Sequence, residues 1–213
     1  NEFMGKNKAM NPNIYAIFAE AAERYPDKTA VYYLGTRYSY RKLLGLSECF
    51  AAALNDRGVN AGQKVMMYIP NSIQWVVSWL GIQKLGAAAV PITPIYTPHD
   101  ISYIANDSEA EAIICADTNF GYVTSVLSET GIKKVIVSKM ADLLPWWKRF
   151  FGFLFDIIPR GKIALDPNTF AFKKLLSGYQ NSSSFGHGDQ RNGDAIAEIL
   201  YTGGTTKFPK GGP

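Results

Sequence analysis

The sequence predicts an α/β protein built on a doubly wound, mostly parallel sheet flanked by helices. Three observations carry that expectation. Apolar runs alternate with segments of helical period, the order that builds a parallel sheet with crossover helices. The strand-like runs at 65–69, 87–92, 112–115 and 134–137 lack polar alternation, as strands covered on both faces do. Apolar residues make up 47% of the 213 and charged residues 19%, which suits a packed core and argues against disorder.

Taken in order, Asn11-Pro12 supplies a cap and a proline at the first helical position. Ile14, Ile17, Phe18 and Ala21 form one face of the helix that Pro26 ends. Residues 29–34 and 37–39 read as a hairpin around Gly35-Thr36. Ser39 caps a second helix that stops before Gly58, with Leu43, Leu46, Phe50 and Leu54 on its buried face. After the strand at 65–69, Asn71 with Gln74 three residues on makes a capping-box start for a helix that Gly86 stops. Thr97, Pro98 and Asp100 open the next helix, where a first-turn carboxylate suits the dipole. Residues 117–129 are read as one helix followed by Gly131, and 170–176 as a short one. Residues 178–194 are a polar loop containing His187, which has no nucleophile beside it.

Composition excludes several classes. Net charge is +4, from 22 basic and 18 acidic residues, far short of a nucleic-acid footprint. Cys49 and Cys115 lie in apolar contexts and read as reduced core thiols of a cytosolic protein rather than a disulfide or metal pair. With His99 and His187 equally scattered, no metal site is expected. No signal peptide is visible at the polar start. Residues 143–158 are rich in Trp, Phe and Leu, with Lys148, Arg149, Gly152 and Asp156 as a narrow polar stripe. The stretch is too short and charged to span a bilayer, which needs ~20 apolar residues. It reads either as a helix buried against the rest of the domain or against the missing half of the protein, or as a monotopic element with its Trp pair at headgroup depth and its basic residues outward.

The chemistry-bearing stretch is Tyr201-Thr202-Gly203-Gly204-Thr205-Thr206-Lys207-Phe208-Pro209-Lys210-Gly211. Paired glycines let backbone amides approach a ligand, three threonines add hydroxyl donors, and Lys210 adds a compact cation. That set suits the oxygens of a polyphosphate. It is neither a Walker A loop nor a dinucleotide fingerprint, and an ordinary Gly/Thr-rich turn is the competing reading. The order of residues resembles the phosphate-binding signature of the adenylate-forming superfamily: acyl-CoA synthetases, luciferases and peptide-synthetase adenylation domains. Ten of its eleven positions fit, and Lys207 stands where the family has glycine. Arg24-Tyr25-Pro26-Asp27-Lys28-Thr29-Ala30, Gly86-Ala87-Ala88-Ala89-Val90-Pro91-Ile92 and Asp107-Ser108 add softer likenesses in the same order.

The resemblance, strongest to long-chain fatty acid–CoA ligases, implies that residues 11–213 are a truncated N-terminal AMP-binding domain. Residues 143–162 form an apolar insert within it, and residues 1–10 are a cloning scar and disordered start. It implies ATP, Mg2+ and coenzyme A as cofactor or co-substrates and a fatty acid as the acyl substrate. Thr202, Gly203, Gly204, Thr205 and Thr206 would cradle the β- and γ-phosphates, and Lys210 would act as the catalytic cation on the departing pyrophosphate. A cytoplasmic protein with peripheral membrane contact through 143–162 fits the picture, and no oligomeric state is assigned. The family's adenine, ribose and late-lysine segments cannot be matched, so the 213 residues alone are expected to be inactive. The alternatives are an aryl- or amino-acid-adenylating enzyme of the same superfamily and a non-catalytic membrane- or partner-binding module.

Overall fold

A computed structural model describes residues 14–154, 161, 163, 166–178, 195–202 and 210–212. The expected start at 1–10, the Asn11-Pro12 cap, residues 179–194 with His187, and 203–209 lie outside the described residues.

Helix α1, Ile14–Arg24, forms as expected but buries a different face. Tyr15 and Ala22 are buried, with Phe18 and Ala19 packed beside them, while Ile14 and Ile17 are exposed. The face is rotated by one residue because Tyr15 carries both a ring and a polar tip. Its hydroxyl reaches Glu48 Oε1 at 3.5 Å, and Lys84 Nζ sits 5.0 Å from its ring centre. Strands β1, Thr29–Tyr33, and β2, Thr36–Ser39, pair antiparallel. Leu34 and Gly35 both have positive φ (46° and 66°), as a primed hairpin turn requires.

In α2, Tyr40–Asn55, Ser39 Oγ accepts the Lys42 N–H at 3.2 Å, and Leu43, Leu46, Phe50 and Leu54 are all buried. Strand β3, Lys64–Tyr68, leads to α3, Ile73–Leu85. The cap of α3 is Ser72, accepting the Trp75 N–H at 3.2 Å, rather than Asn71. Gln74 is drawn inward instead: its Nε2 donates to the carbonyls of Lys139 and Met140, each at 3.0 Å. Gly86, at φ 75°, ends the helix in the left-handed conformation that glycine takes without penalty.

Strand β4, Ala88–Pro91, and α4, Pro98–Asp107, follow, the helix opened by a Thr97/Asp100 capping box. After β5, Ala112–Ala116, the expected helix over 117–129 is broken. Only α5, Phe120–Thr124, is α-helical, between 3₁₀ turns at Asp117–Asn119 and Leu127–Glu129. Thr124 Oγ1 and Ser125 Oγ donate back to the carbonyls of Gly121 and Tyr122, competition that ends short helices. Strand β6, Lys134–Ser138, precedes α6, Trp146–Leu154. Strand β7 is Thr169–Ala171 and α7 is Phe172–Gly178. Phe170 thus belongs to an edge strand and not to the helix, because Thr169–Ala171 pair with residues 135–137 of β6.

The sheet order is β4-β3-β5-β6-β7, all parallel. The chain moves to one side of β3 and then to the other, which is the doubly wound topology expected. Side chains of β3 alternate between two cores. Val65 and Met67 pack with Phe50, Val77 and Phe172 from α2, α3 and α7. Met66 and Tyr68 pack with Ile101, Ile104 and Val123 from α4 and α5. Cys115 is buried and Cys49 half-buried, both as free thiols.

Helix α6 is not buried against the described domain, and Lys148 does not face outward as the interfacial reading expects. Trp146, Trp147, Phe150, Phe151 and Leu154 are 48–78% exposed. Lys148 instead turns inward, its ammonium donating to the Leu34 carbonyl at 2.7 Å and Thr36 Oγ1 at 3.1 Å. A three-donor cation satisfies two acceptors of the hairpin turn, so the polar side of the helix faces the domain and the aromatic side faces out. Residues 155–158 of the expected helix lie outside the described residues.

Candidate phosphate-binding site

Residues 197–199 run alongside β4 and join it by one parallel bridge between Ala89 and Glu198. The Ala89 N–H donates to the Ala197 carbonyl at 3.0 Å, and the Ile199 N–H donates to the Ala89 carbonyl at 2.8 Å, in parallel register. Helix α3 anchors the same segment from its flank. Trp79 Nε1 donates to Glu198 Oε2 at 3.2 Å, and Gln83 Nε2 donates to the Ala197 carbonyl at 2.7 Å.

The chain then leaves the sheet as a hairpin. Strand β8, Leu200–Thr202, pairs antiparallel with β9, Lys210–Gly212, in the register Leu200↔Gly212, Tyr201↔Gly211, Thr202↔Lys210. The two ends of the Gly/Thr-rich stretch are therefore neighbours. Thr202 is exposed at the mouth of the loop and the Lys210 backbone sits opposite it. Gly203, Gly204, Thr205, Thr206 and Lys207 lie outside the described residues, as does the Lys210 side chain.

Tyr201 is the pivot. Its ring lies against Gly211 so closely that a Cβ there would stand 2.8 Å from Cζ and push the ring aside, so glycine suits the cross-strand position. Its hydroxyl donates to Asp107 Oδ2, at the end of α4, at 2.5 Å. Burial, and then the bond to Asp107, push the Tyr201 phenol well above its ordinary range, so it stays a donor at any physiological pH. Sequence reasoning did not find Trp79, Gln83, Glu198 or this role for Asp107. Asp107-Ser108 was visible as a motif, but nothing in one sequence pairs it with Tyr201.

Neighbouring hollows do not suit a polyphosphate. Behind the hairpin lies a cleft of about 240 Å³ bordered by Lys64, Asp107, Glu109, Ile199 and Tyr201. Its lysine is already paired with Glu109 at 3.2 Å, which leaves an acidic wall. A second hollow of about 80 Å³, at the carboxyl ends of β3, β5 and β6, contains the buried Asp117 carboxylate. Thr202 borders neither hollow and is exposed where the described part of the hairpin ends. Among the described residues no group of three or more His, Cys, Asp or Glu could hold a metal ion.

A parallel doubly wound sheet with a Gly/Thr-rich hairpin added at its β4 edge is the fold of the N-terminal part of adenylate-forming enzymes. The chain belongs to the family of AMP-binding enzymes, which matches residues 18–212. It is 30% identical over 205 residues to a long-chain-fatty-acid–CoA ligase of Haemophilus influenzae, covering 93% of this chain and 36% of that protein. It is 33% identical over 212 residues to the corresponding ligase of Salmonella typhimurium, covering 95% and 37%. Among solved structures, the anthranilate CoA ligase AuaEII in complex with anthranoyl-AMP superposes with a TM-score of 0.76 at 22% identity, over 95% of this chain and 34% of that one. A long-chain-fatty-acid-CoA ligase from Archaeoglobus fulgidus gives 0.66 at 24% identity, over 94% and 36%. These structures share the fold. The chain spans a little over a third of the length of the curated relatives it matches.

Proposed function

We propose that the protein containing these residues is an ATP-dependent fatty acid–CoA ligase, an acid–thiol ligase. The observation that supports it most is the Tyr201↔Gly211 pairing, which brings both ends of the phosphate signature together at the edge of a family-typical sheet. The matches to fatty acid ligases at 30% and 33% identity point to the acyl substrate.

In this reading a carboxylate oxygen attacks the α-phosphorus of ATP, the bond to the bridging oxygen breaks, and pyrophosphate leaves. Coenzyme A sulfur then attacks the acyl carbon and AMP departs with the electron pair. Thr202, Gly203, Gly204, Thr205 and Thr206 hold the β- and γ-phosphates with hydroxyl and amide donors. Lys210 offsets the charge that gathers on the leaving pyrophosphate. Magnesium would neutralise phosphate charge when bound. The adenine, ribose and late-lysine segments are not in these 213 residues, so the chain alone should release no pyrophosphate.

The test is pyrophosphate release by the protein translated from the whole reading frame, across fatty, aryl and amino acids, beside Lys210→Ala. A fatty-acid preference and a loss of about 10²-fold or more in kcat for the variant support the reading, by analogy with removal of one charge-stabilising donor. Turnover only with aryl or amino acids would replace it with the other adenylation chemistry. A second reading rests on α6: its outward aromatic face and lack of acidic residues fit peripheral contact with a membrane surface by a cytoplasmic protein. Among the described residues no helix is long and apolar enough to cross a membrane. Liposome co-sedimentation that vanishes in a Trp146→Ala/Trp147→Ala variant supports contact, and equal pelleting of both chains refutes it.

A further inference from the structure

We infer that Asp107 is a positioning residue for the nucleotide step: through Tyr201 it sets the hairpin whose ends carry Thr202 and Lys210. The inference rests on the ligase reading for its catalytic consequence, but the structural device stands separately. Three observations converge on it.

The first is the contact itself. Tyr201 Oη reaches Asp107 Oδ2 at 2.5 Å across 94 positions of sequence, a short, charge-assisted bond. The second is local cost. Asp107 is the last residue of α4, and Glu109 follows at φ 56°. A helix C-terminus favours cations, yet the last turn of α4 has no basic residue. A carboxylate there is locally unfavourable, as is a left-handed glutamate, so the helix end is not built for its own stability. Glu109 is engaged by Lys64 at 3.2 Å, which leaves Asp107 to Tyr201. The third is the other side of the ring. Tyr201 packs between the second core and Gly211, and its hydroxyl is what ties the hairpin itself to α4.

The ring alone would hold the hairpin against the sheet while leaving it free to rock. The bond to Asp107 sets one angle and with it the direction in which Thr202 presents its hydroxyl. Asp107 touches no phosphate in this arrangement.

The experiment uses Tyr201→Phe, Asp107→Ala and Asp107→Asn. In the 213-residue chain, hydrogen exchange at the amides of residues 200–202 and 211–212 is followed by mass spectrometry. Exchange there should rise about three- to tenfold in Tyr201→Phe and Asp107→Ala, with the β3–β5 amides unchanged, and fall back toward wild type in Asp107→Asn, which keeps an oxygen acceptor. In the protein from the whole reading frame, the first two variants should raise KM for ATP about three- to tenfold and leave KM for the acid unchanged, with Asp107→Asn rescuing most of it. Unaltered exchange in Tyr201→Phe overturns the strut whatever the enzyme does. Faster exchange with an unchanged KM for ATP overturns the positioning role. A wild-type protein that adenylates no acid refutes the ligase reading alone, and the exchange result still decides the strut.

Discussion

Two glycine-to-alanine changes in packed helices should move stability in opposite directions. At Gly81 in α3, an added Cβ would stand 2.9 Å from Phe50 Cδ1, 3.1 Å from the Ser47 carbonyl oxygen and 3.3 Å from the Ala51 nitrogen. Two of those neighbours are backbone of α2. The third, the Phe50 ring, is held by Phe172, with centroids 5.0 Å apart. Nothing flexible can yield, so α2 and α3 must separate. Overpacking of this kind costs roughly 1–3 kcal/mol, while alanine's better helix propensity returns about 0.5–1 kcal/mol. The net expectation is a loss of about 1–2 kcal/mol, or a Tm about 2–8 °C lower for a domain of this size. Gly45, on the exposed side of α2, has no atom within 4 Å of its built Cβ. Gly45→Ala should therefore stabilise by about 0.5–1 kcal/mol, the propensity term alone. Urea unfolding followed by circular dichroism, with the m-values compared, measures both. A Gly81→Ala chain as stable as wild type, or both variants shifting the same way, would refute the close-packed account of the α2–α3 interface.

Thr97→Ala should remove the α4 capping box and cost about 0.5–2 kcal/mol, with Thr97→Ser restoring most of it; the same urea midpoints check this. Tyr38 donates to the Leu143 carbonyl at 2.8 Å, and burial pushes its phenol from 10 up to about 12. A folded value above the unfolded one gives stability that is full below pH 10 and lost as pH rises through about 12, so alkaline unfolding should be steeper in wild type than in Tyr38→Phe. Cys115 is buried, its thiol pushed well up by burial and then by Asp117, and burial also raises Cys49. A thiol reagent at pH 8 should find no fast-reacting cysteine in the folded chain and two in denaturant; a stoichiometric burst from the native protein would contradict that.

What the sequence disclosed follows the range of the forces involved. Ser39, Thr97, Pro98, Gly58 and Gly86 act within a turn of themselves, and each stands in its expected role. Apart from the helix at 117–129, broken by local bonds of Thr124 and Ser125, the following misreadings involve partners far along the chain. Gln74 fits a capping box locally but is claimed by carbonyls 65 and 66 positions away, and Ser72 takes the cap. Phe170 has helical neighbours but pairs with β6, because an unpaired strand edge outweighs a weak propensity. The basic residues of α6 look outward by composition, but the acceptors that hold Lys148 lie in a hairpin 112 and 114 positions earlier. At the site, the residue types of the loop were legible, but the anchors of its entry strand were not. Glu198, Gln83 and Trp79 carry no pattern until α3 and the last strand are side by side.

The softer motifs gain a physical meaning from that same junction. Gly86 turns α3 sharply into β4, and its carbonyl accepts the Gly62 N–H at 2.8 Å. That places the small, fully buried Ala89 where both of its backbone groups face residues 197–199. Asp107-Ser108 ends the next helix, with Ser108 Oγ closing α4 on the Ile104 carbonyl and Asp107 reaching Tyr201. Segments at 86–92 and 107–108 thus both contact residues 197–202: the first by backbone bonds to 197 and 199, the second through Tyr201. Donors stabilise charge only if they are held in place before a ligand arrives, so in the ligase proposed above this docking would serve the phosphate loop directly. The segment from 197 to 202 is therefore attached at three points: to β4 by backbone, to α3 by Trp79 and Gln83, and to the end of α4 through the Tyr201 phenol.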